Sequence, residues 1–201
     1  SPNFAEAHNN LGATFQELKQ FNLAITQYQK SILINPNYAQ AFNNLGILWE
    51  STGLKDKALS HYEKAISIKE DFAEAYYNIS NIKKYTKDDT HISKMQSILI
   101  SRNLNQSDKI FINFALAKVN DDLGNQDSQF KYLNEGNSLR KAQLNYSLDM
   151  YKNKHSIIKK IFSENLPKIN TNYENNSNYK RPIFIIGMPR SGTTLVEQII
   201  S

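Results

Sequence analysis

The fold predicted is mostly α: a helical-repeat superhelix over the greater part of the 201-residue chain, leading into the first strand, loop and helix of an α/β domain. Three observations predict it. A block of eight residues recurs twice at a spacing of 34. Apolar residues beyond the recurring blocks keep the helical period to about residue 165. Near the C-terminal end, four consecutive apolar residues, Ile183-Phe-Ile-Ile186, run into a loop bounded by Gly187 and Gly192 and then into a helical pattern.

The recurring blocks are Ala5-Glu-Ala-His-Asn-Asn-Leu-Gly12, Ala39-Gln-Ala-Phe-Asn-Asn-Leu-Gly46 and Ala73-Glu-Ala-Tyr-Tyr-Asn-Ile-Ser80, whose offset is the tetratricopeptide (TPR) period. The signature continues through Phe15, Ala24, Tyr28 and Pro36 in the first repeat, and through Trp49, Ala58, Tyr62 and Ala65 in the second. Small Gly12, Ala24, Gly46 and Ala58 let paired helices approach while Phe15, Tyr28, Trp49 and Tyr62 fill the gaps. Pro36 and Gly53 punctuate the turns, and Asp56 or a polar neighbour starts the second helix of its pair. Helices are predicted near 4–18, 21–34, 38–52, 55–68 and 72–85.

Beyond Tyr85 the pattern decays into degenerate repeats. Lys87-Asp-Asp-Thr starts a helix to about Ile100; Ser107-Asp108 starts another, ending near Gly124; a third runs from about Gln126 to 142. A further helix spans 146–165, and the Asn-rich stretch from Pro167 to Tyr179 reads as a linker. The predicted organisation is 1–85 TPR repeats, 86–145 degenerate TPR-like helices, 146–180 helix and linker, and 181–201 the start of the α/β domain. With Ser1 first and Ser201 about two turns into a helix, the chain reads as a piece of a longer protein.

A hydrophobic content of 40% suits a globular protein. The absence of cysteine excludes disulfides, thiolate metal sites and cysteine nucleophiles. The longest apolar run, Pro182 to Met188, is too short to span a bilayer, and no signal sequence is visible, which favours a cytoplasmic location. The net charge of +5 lies entirely in residues 150–201, which hold 8 basic against 3 acidic side chains. Basic and aromatic residues do not interleave in a way that suggests nucleic acid.

The segment Gly187-Met-Pro-Arg-Ser-Gly-Thr-Thr194 follows the spacing of a phosphate-cradling loop, with Thr193 where a nucleoside triphosphatase carries lysine. The start of the following helix offers unpaired N–H groups and partial positive charge to an anion, joined by the hydroxyls of Ser191, Thr193 and Thr194. Arg190 adds a permanent cation suited to a forked contact with phosphate or sulfate. Without the lysine that reaches β and γ phosphates, a nucleotide with a shorter 5′ group is the better fit.

Pro189-Arg-Ser-Gly-Thr-Thr-Leu195 resembles the 5′-phosphosulfate loop of sulfotransferases, and the longer run through Glu197-Gln198 after an Ile-rich strand is similar to bacterial TPR-containing sulfotransferases related to protein-tyrosine sulfotransferases. The order of repeats before loop matches that family. The resemblance implies sulfuryl transfer from 3′-phosphoadenosine 5′-phosphosulfate (PAPS) to an acceptor hydroxyl, protein tyrosine among the candidates, without a metal. It also implies that Arg190, Ser191, Gly192, Thr193 and Thr194 hold the 5′-phosphosulfate. Many cytosolic members carry lysine at the position of Arg190; the arginine resembles the protein-tyrosine branch and acts as an electrostatic clamp. The family's general base and 3′-phosphate contacts fall beyond Ser201, so the chain by itself is expected to bind donor without turnover. Glu197 is read as a helix-surface carboxylate.

Asn10, Asn44 and Asn78 recur at the repeat period. A ladder of amides can grip an extended peptide backbone, as in the TPR array of O-linked N-acetylglucosamine transferase, which this part resembles; the same amides can equally bond across neighbouring helices. The partner expected of the TPR groove is a protein or other macromolecular acceptor. The alternative to the enzyme is a TPR interaction scaffold with a non-catalytic loop. His8, His61, His91 and His155 are read as structural or surface residues, and Asp88-Asp89 and Asp121-Asp122 as helix caps.

Overall fold

The structure, a computed structural model, describes residues 2–101, 104–144 and 148–165. Among them the regular elements are α1 (Pro2–Glu17), α2 (Phe21–Ile34), α3 (Ala39–Ser51), α4 (Lys55–Ile68), α5 (Ala73–Ile82), α6 (Thr90–Ile100), α7 (Gln106–Asp122), α8 (Gln126–Gln143) and α9 (Leu148–Asn165). The strand, loop and helix expected over 181–201, and most of the linker before them, lie outside the described residues. The described residues fall into two units, α1 to α8 in one and α9 in the other.

In the first unit, α1 and α2, α3 and α4, and α7 and α8 form closely packed helical hairpins. Glycine on the first helix permits the approach. A Cβ built on Gly12 would lie 2.7 Å from the Tyr28 ring, and one on Gly46 would lie 2.5 Å from the Tyr62 ring. Each ring is pinned at its far end by a bond from its hydroxyl, Tyr28 to Gln16 at 2.9 Å and Tyr62 to Glu50 at 2.7 Å, so it cannot swing aside cheaply. Burial, then the Glu50 carboxylate, holds the Tyr62 phenol well above its ordinary range, keeping the hydroxyl a donor. In the last hairpin the sizes are exchanged: Phe114 sits on α7, and a Cβ on Gly136 of α8 would lie 2.9 Å from it.

The turns repeat as well. Gly53 after α3 and Gly124 after α7 take left-handed backbone at φ 81° and 74°, and Lys19 stands at the same register after α1 with φ 59°. Asp56 lies in the first turn of α4, whose cap position is Leu54 and makes no side-chain bond.

The third repeat departs from the first two. α5 was expected to reach Tyr85 but ends at Ile82, with Lys83 extended. Long-range packing overrides the local pattern: Tyr85 turns into the core, 2% exposed, and its backbone N–H donates to the Asp122 carboxylate at 3.1 Å. Ile92 and Gln96 replace the small and aromatic residues that α2 and α4 use in pairing, and α5 packs chiefly against α4 and α7. Met95 and Ile98 still anchor α6 to the main core with Tyr76, Ile79, Ile112 and Leu116.

Asp89 caps α6, accepting from the His91 N–H at 3.0 Å, and pairs with Lys83 at 2.5 Å. Asp121 and Asp122, expected as caps, sit at the C-terminal end of α7. There a carboxylate has no free N–H groups of its own helix to cap; Asp122 bonds Tyr85 and Lys118, and Asp121 lies 3.6 Å from Lys118. His91 lies edge-on to Tyr76 at 5.6 Å and beside Tyr85 at 6.4 Å. Burial, aided by Lys83 and Lys94 and opposed by Asp89 and Glu63, lowers its pKa below the ordinary 6.5.

Two predictions follow from this packing. Gly46→Ala drives a methyl into the pinned Tyr62 ring, and an overpacking penalty of about 1–3 kcal/mol exceeds the roughly 1 kcal/mol of helix propensity that alanine supplies. Chemical denaturation should show a net loss; an unchanged or raised midpoint would contradict the packing account. Between the ordinary value of 6.5 and the lower folded value, the unfolded chain takes up a proton that His91 refuses. Stability present above pH 6.5 is therefore lost as pH falls through that window, and His91→Phe should flatten this part of the profile. An equal slope in both proteins would contradict it.

Candidate functional site

The first helices of successive repeats place their period-related residues along one track. On α1, Asn9 is buried and Asn10 exposed; on α3, Asn43 is buried and Asn44 half-buried; on α5, Asn78 is buried beside half-buried Tyr77. Asn44 donates to the Asn9 side-chain oxygen at 2.9 Å, and Asn78 to that of Asn43 at 3.0 Å. Each bond joins one repeat to the one before it. Asn44 also accepts from Gln40 at 3.1 Å, and Asn10 accepts from Asn9 at 3.5 Å.

A primary amide offers two N–H donors and two acceptor lone pairs. Asn44 therefore keeps one N–H and one lone pair after its two bonds, and exposed Asn10 keeps both N–H groups. Asn78 is 9% exposed and directs its amide to Asn43, which is fully buried. Bonding across helices and presenting free amide positions thus coexist along one track, weighted toward bonding at Asn78 and toward presentation at Asn10.

A second row, Glu6, Gln40, Glu74 and Asp108, shares the same 34-residue spacing on α1, α3, α5 and α7. Burial raises the Glu74 pKa, with the nearby Asp108 charge acting the same way and the side chains of Asn43 and Gln40 opposing. Beside this row, Tyr77 meets Phe111 at 5.6 Å and Phe114 at 6.4 Å between ring centres. A groove of about 320 Å³ opens there, lined by Tyr77, Phe114, Lys118, Gln129 and Leu133 among others. A second, of about 300 Å³, is lined by Gln16, Glu17, Tyr28, Asn44 and Ile47 with Ala13. Amides and an aromatic wall along one track suit a polypeptide, whose backbone exchanges hydrogen bonds and whose rings stack.

The partners Asn9 and Asn43, and the row through Glu74, were missed by sequence reasoning although the same 34-residue offset marks them. Arg190, Ser191, Gly192, Thr193 and Thr194, expected from the sequence to form a phosphate loop, lie outside the described residues. Among the described residues no three His, Asp or Glu side chains gather as a metal site, and no helix is long and apolar enough to cross a membrane.

The amide bonds predict unequal effects of equal substitutions. Asn78→Ala leaves the buried Asn43 oxygen without its donor and should destabilise by about 1–3 kcal/mol. Asn10→Ala, at an exposed position, should stay within about 0.5 kcal/mol of the parent. Urea denaturation of the two variants checks this, and equal losses would contradict the assignment.

Comparison with known proteins agrees with both ends of the chain. Residues 3–71 match the tetratricopeptide repeat model, and residues 182–201 match the model described as the sulfotransferase family. An uncharacterized protein of Aquifex aeolicus (strain VF5) is 30% identical over 120 residues, covering 59% of this chain; the chain spans only 15% of that relative's length. A crystal structure of MamA is similar at 25% identity over 73% of this chain and 64% of its own, with a TM-score of 0.38. A second MamA crystal structure is 22% identical, covers 73% of this chain and 79% of its own, and has a TM-score of 0.49. The chain carries tetratricopeptide repeats suited to protein interaction, followed at its C-terminal end by a short sulfotransferase-like segment.

Proposed function

We propose that this chain is part of a PAPS-dependent sulfotransferase whose repeat array holds a protein acceptor, with tyrosine among the candidate acceptor side chains. The observation that carries the reading is the phosphate-loop spacing with Thr193 in place of lysine, set inside the 182–201 segment that matches the sulfotransferase family. Two glycines bring backbone N–H groups close to an anion, Arg190 adds a forked cation, and three hydroxyls complete the cradle. This is the chemistry of a single 5′-phosphate bearing a sulfuryl group.

In the transfer, the acceptor oxygen forms a bond to sulfur as the bond from sulfur to the bridging oxygen breaks. The departing bisphosphate keeps the electron pair, and the acceptor proton passes to a base. Arg190 offsets negative charge that grows on the bridging oxygen, and a donor of this kind contributes about 10²–10³ in rate in well-studied sites. The amide track on α1, α3 and α5 and the aromatic wall of Tyr77, Phe111 and Phe114 serve the acceptor in this reading.

Calorimetric titration with adenosine 3′,5′-bisphosphate (PAP) tests the donor side. Arg190→Ala removes a charge-assisted contact and should weaken PAP binding by about 10-fold to 100-fold. Binding of ATP in preference to PAP would contradict the proposal, as would PAP affinity untouched by Arg190→Ala. A full-length protein that binds no PAP would be an interaction scaffold.

A further inference from the structure

Four residues of α1 are exposed where counterparts in later repeats are buried. Phe4 is 61% exposed, while its counterparts Tyr38 and Phe72 are half-buried and 7% exposed; Leu11 is 42% exposed while Leu45 and Ile79 are 2% and 0%. Ala7 is exposed where Ala41 and Ala75 are fully buried, and exposed Thr14 corresponds to buried Leu48. Positions 4, 7, 11 and 14 have the three- and four-residue spacing of one helix face, and Leu18, 61% exposed just past the end of α1, continues that spacing. The stripe is a stacking face.

The chain itself shows what covers such a face. On α3, Leu45 and Leu48 are buried against Ala24 and Tyr28 of α2, with Ile25 and Ile32 at the margin. On α5, the corresponding stripe lies against α4, whose Leu59 and Ile66 stand one period after Ile25 and Ile32. In both places the cover is the second helix of the preceding repeat. The opposite end of the array is of another kind: α8 carries Gln126, Lys131, Asn134, Asn137 and Arg140 exposed, with Phe130 as its large exposed apolar residue. A polar outer helix is how a repeat array is closed, and an apolar one is how it continues.

We propose that α1 seats one more repeat of the same kind, carried on the N-terminal side of residue 1, whose second helix lies on Phe4, Ala7, Leu11 and Thr14 as α2 lies on α3. The occupant is identified by its pattern: a small residue, an aromatic four residues later and an aliphatic four after that, as at Ala24, Tyr28 and Ile32. It extends the amide track by one repeat and lengthens the surface offered to a partner.

The test joins a copy of residues 35–68 directly before Ser1, which preserves the 34-residue register. The extended protein should unfold in one transition several degrees above the parent, with slower hydrogen exchange in α1. Leu11→Gln should be nearly neutral in the 201-residue chain yet cancel most of that gain in the extended one. No gain, or Leu11→Gln neutral in both, would overturn the proposal. So would a parent that sediments as a dimer and reverts to a monomer on Leu11→Gln, since the face would then belong to a second copy. If the extended protein fails to fold, the full-length polypeptide decides. The residues immediately before Ser1 are expected to show the small, aromatic and aliphatic pattern at the counterparts of Ala24, Tyr28 and Ile32, and a different pattern there contradicts it.

Discussion

The close approach of two helices at a glycine is the constraint on which the rest of the array depends. At Gly12 and Gly46 a methyl group would collide with a buried tyrosine ring that its own hydroxyl bond holds in place. This contact sets how each hairpin closes. The closed hairpin fixes which residues of the first helix face the next repeat, and so aligns Asn9 with Asn44 and Asn43 with Asn78. At the last hairpin, Phe114 and Gly136 meet the same requirement with large and small residues exchanged. What the three closely packed hairpins share is one small and one large partner at the crossing, whichever helix supplies each.

The polar track inherits its regularity from that packing. Residues one period apart lie side by side on α1, α3, α5 and α7, so single choices of residue type become rows: amides in one, carboxylates and Gln40 in another. Some of the amides hold the repeats together and others retain unused donors, which links the stability of the array to the surface that would meet a partner. The aromatic wall at Tyr77, Phe111 and Phe114 lies where the regular repeats give way to α7.

The first four helices were legible in the sequence because two nearly complete copies of the repeat expose the register, and the residues that make it recognisable are those that make the contact. The third repeat was less legible. The end of α5 is decided by a bond from Tyr85 to Asp122, 37 residues along the chain, and no local pattern announces it. Asp121 and Asp122 looked like caps because acidic pairs favour helix starts, whereas here they end α7, Asp122 tying it to Tyr85 and Asp121 to Gln129 of α8. The amide track was half legible: the period of Asn10, Asn44 and Asn78 was visible, but the pairing with the adjacent Asn9 and Asn43 depends on helix rotation, which the hairpin packing sets. The phosphate loop was read from glycine spacing and from the residue standing at 193, and it lies outside the described residues.

On the proposed function, residues 187–194 cradle a phosphosulfate nucleotide. Backbone amide resonances observed during titration with PAP test it most directly. Saturable shifts centred on Arg190, Ser191, Gly192, Thr193 and Thr194 are expected, with the resonances of α1 to α5 unmoved. Shifts confined to the repeats, or the same loop responding to ATP but not to PAP, would contradict it.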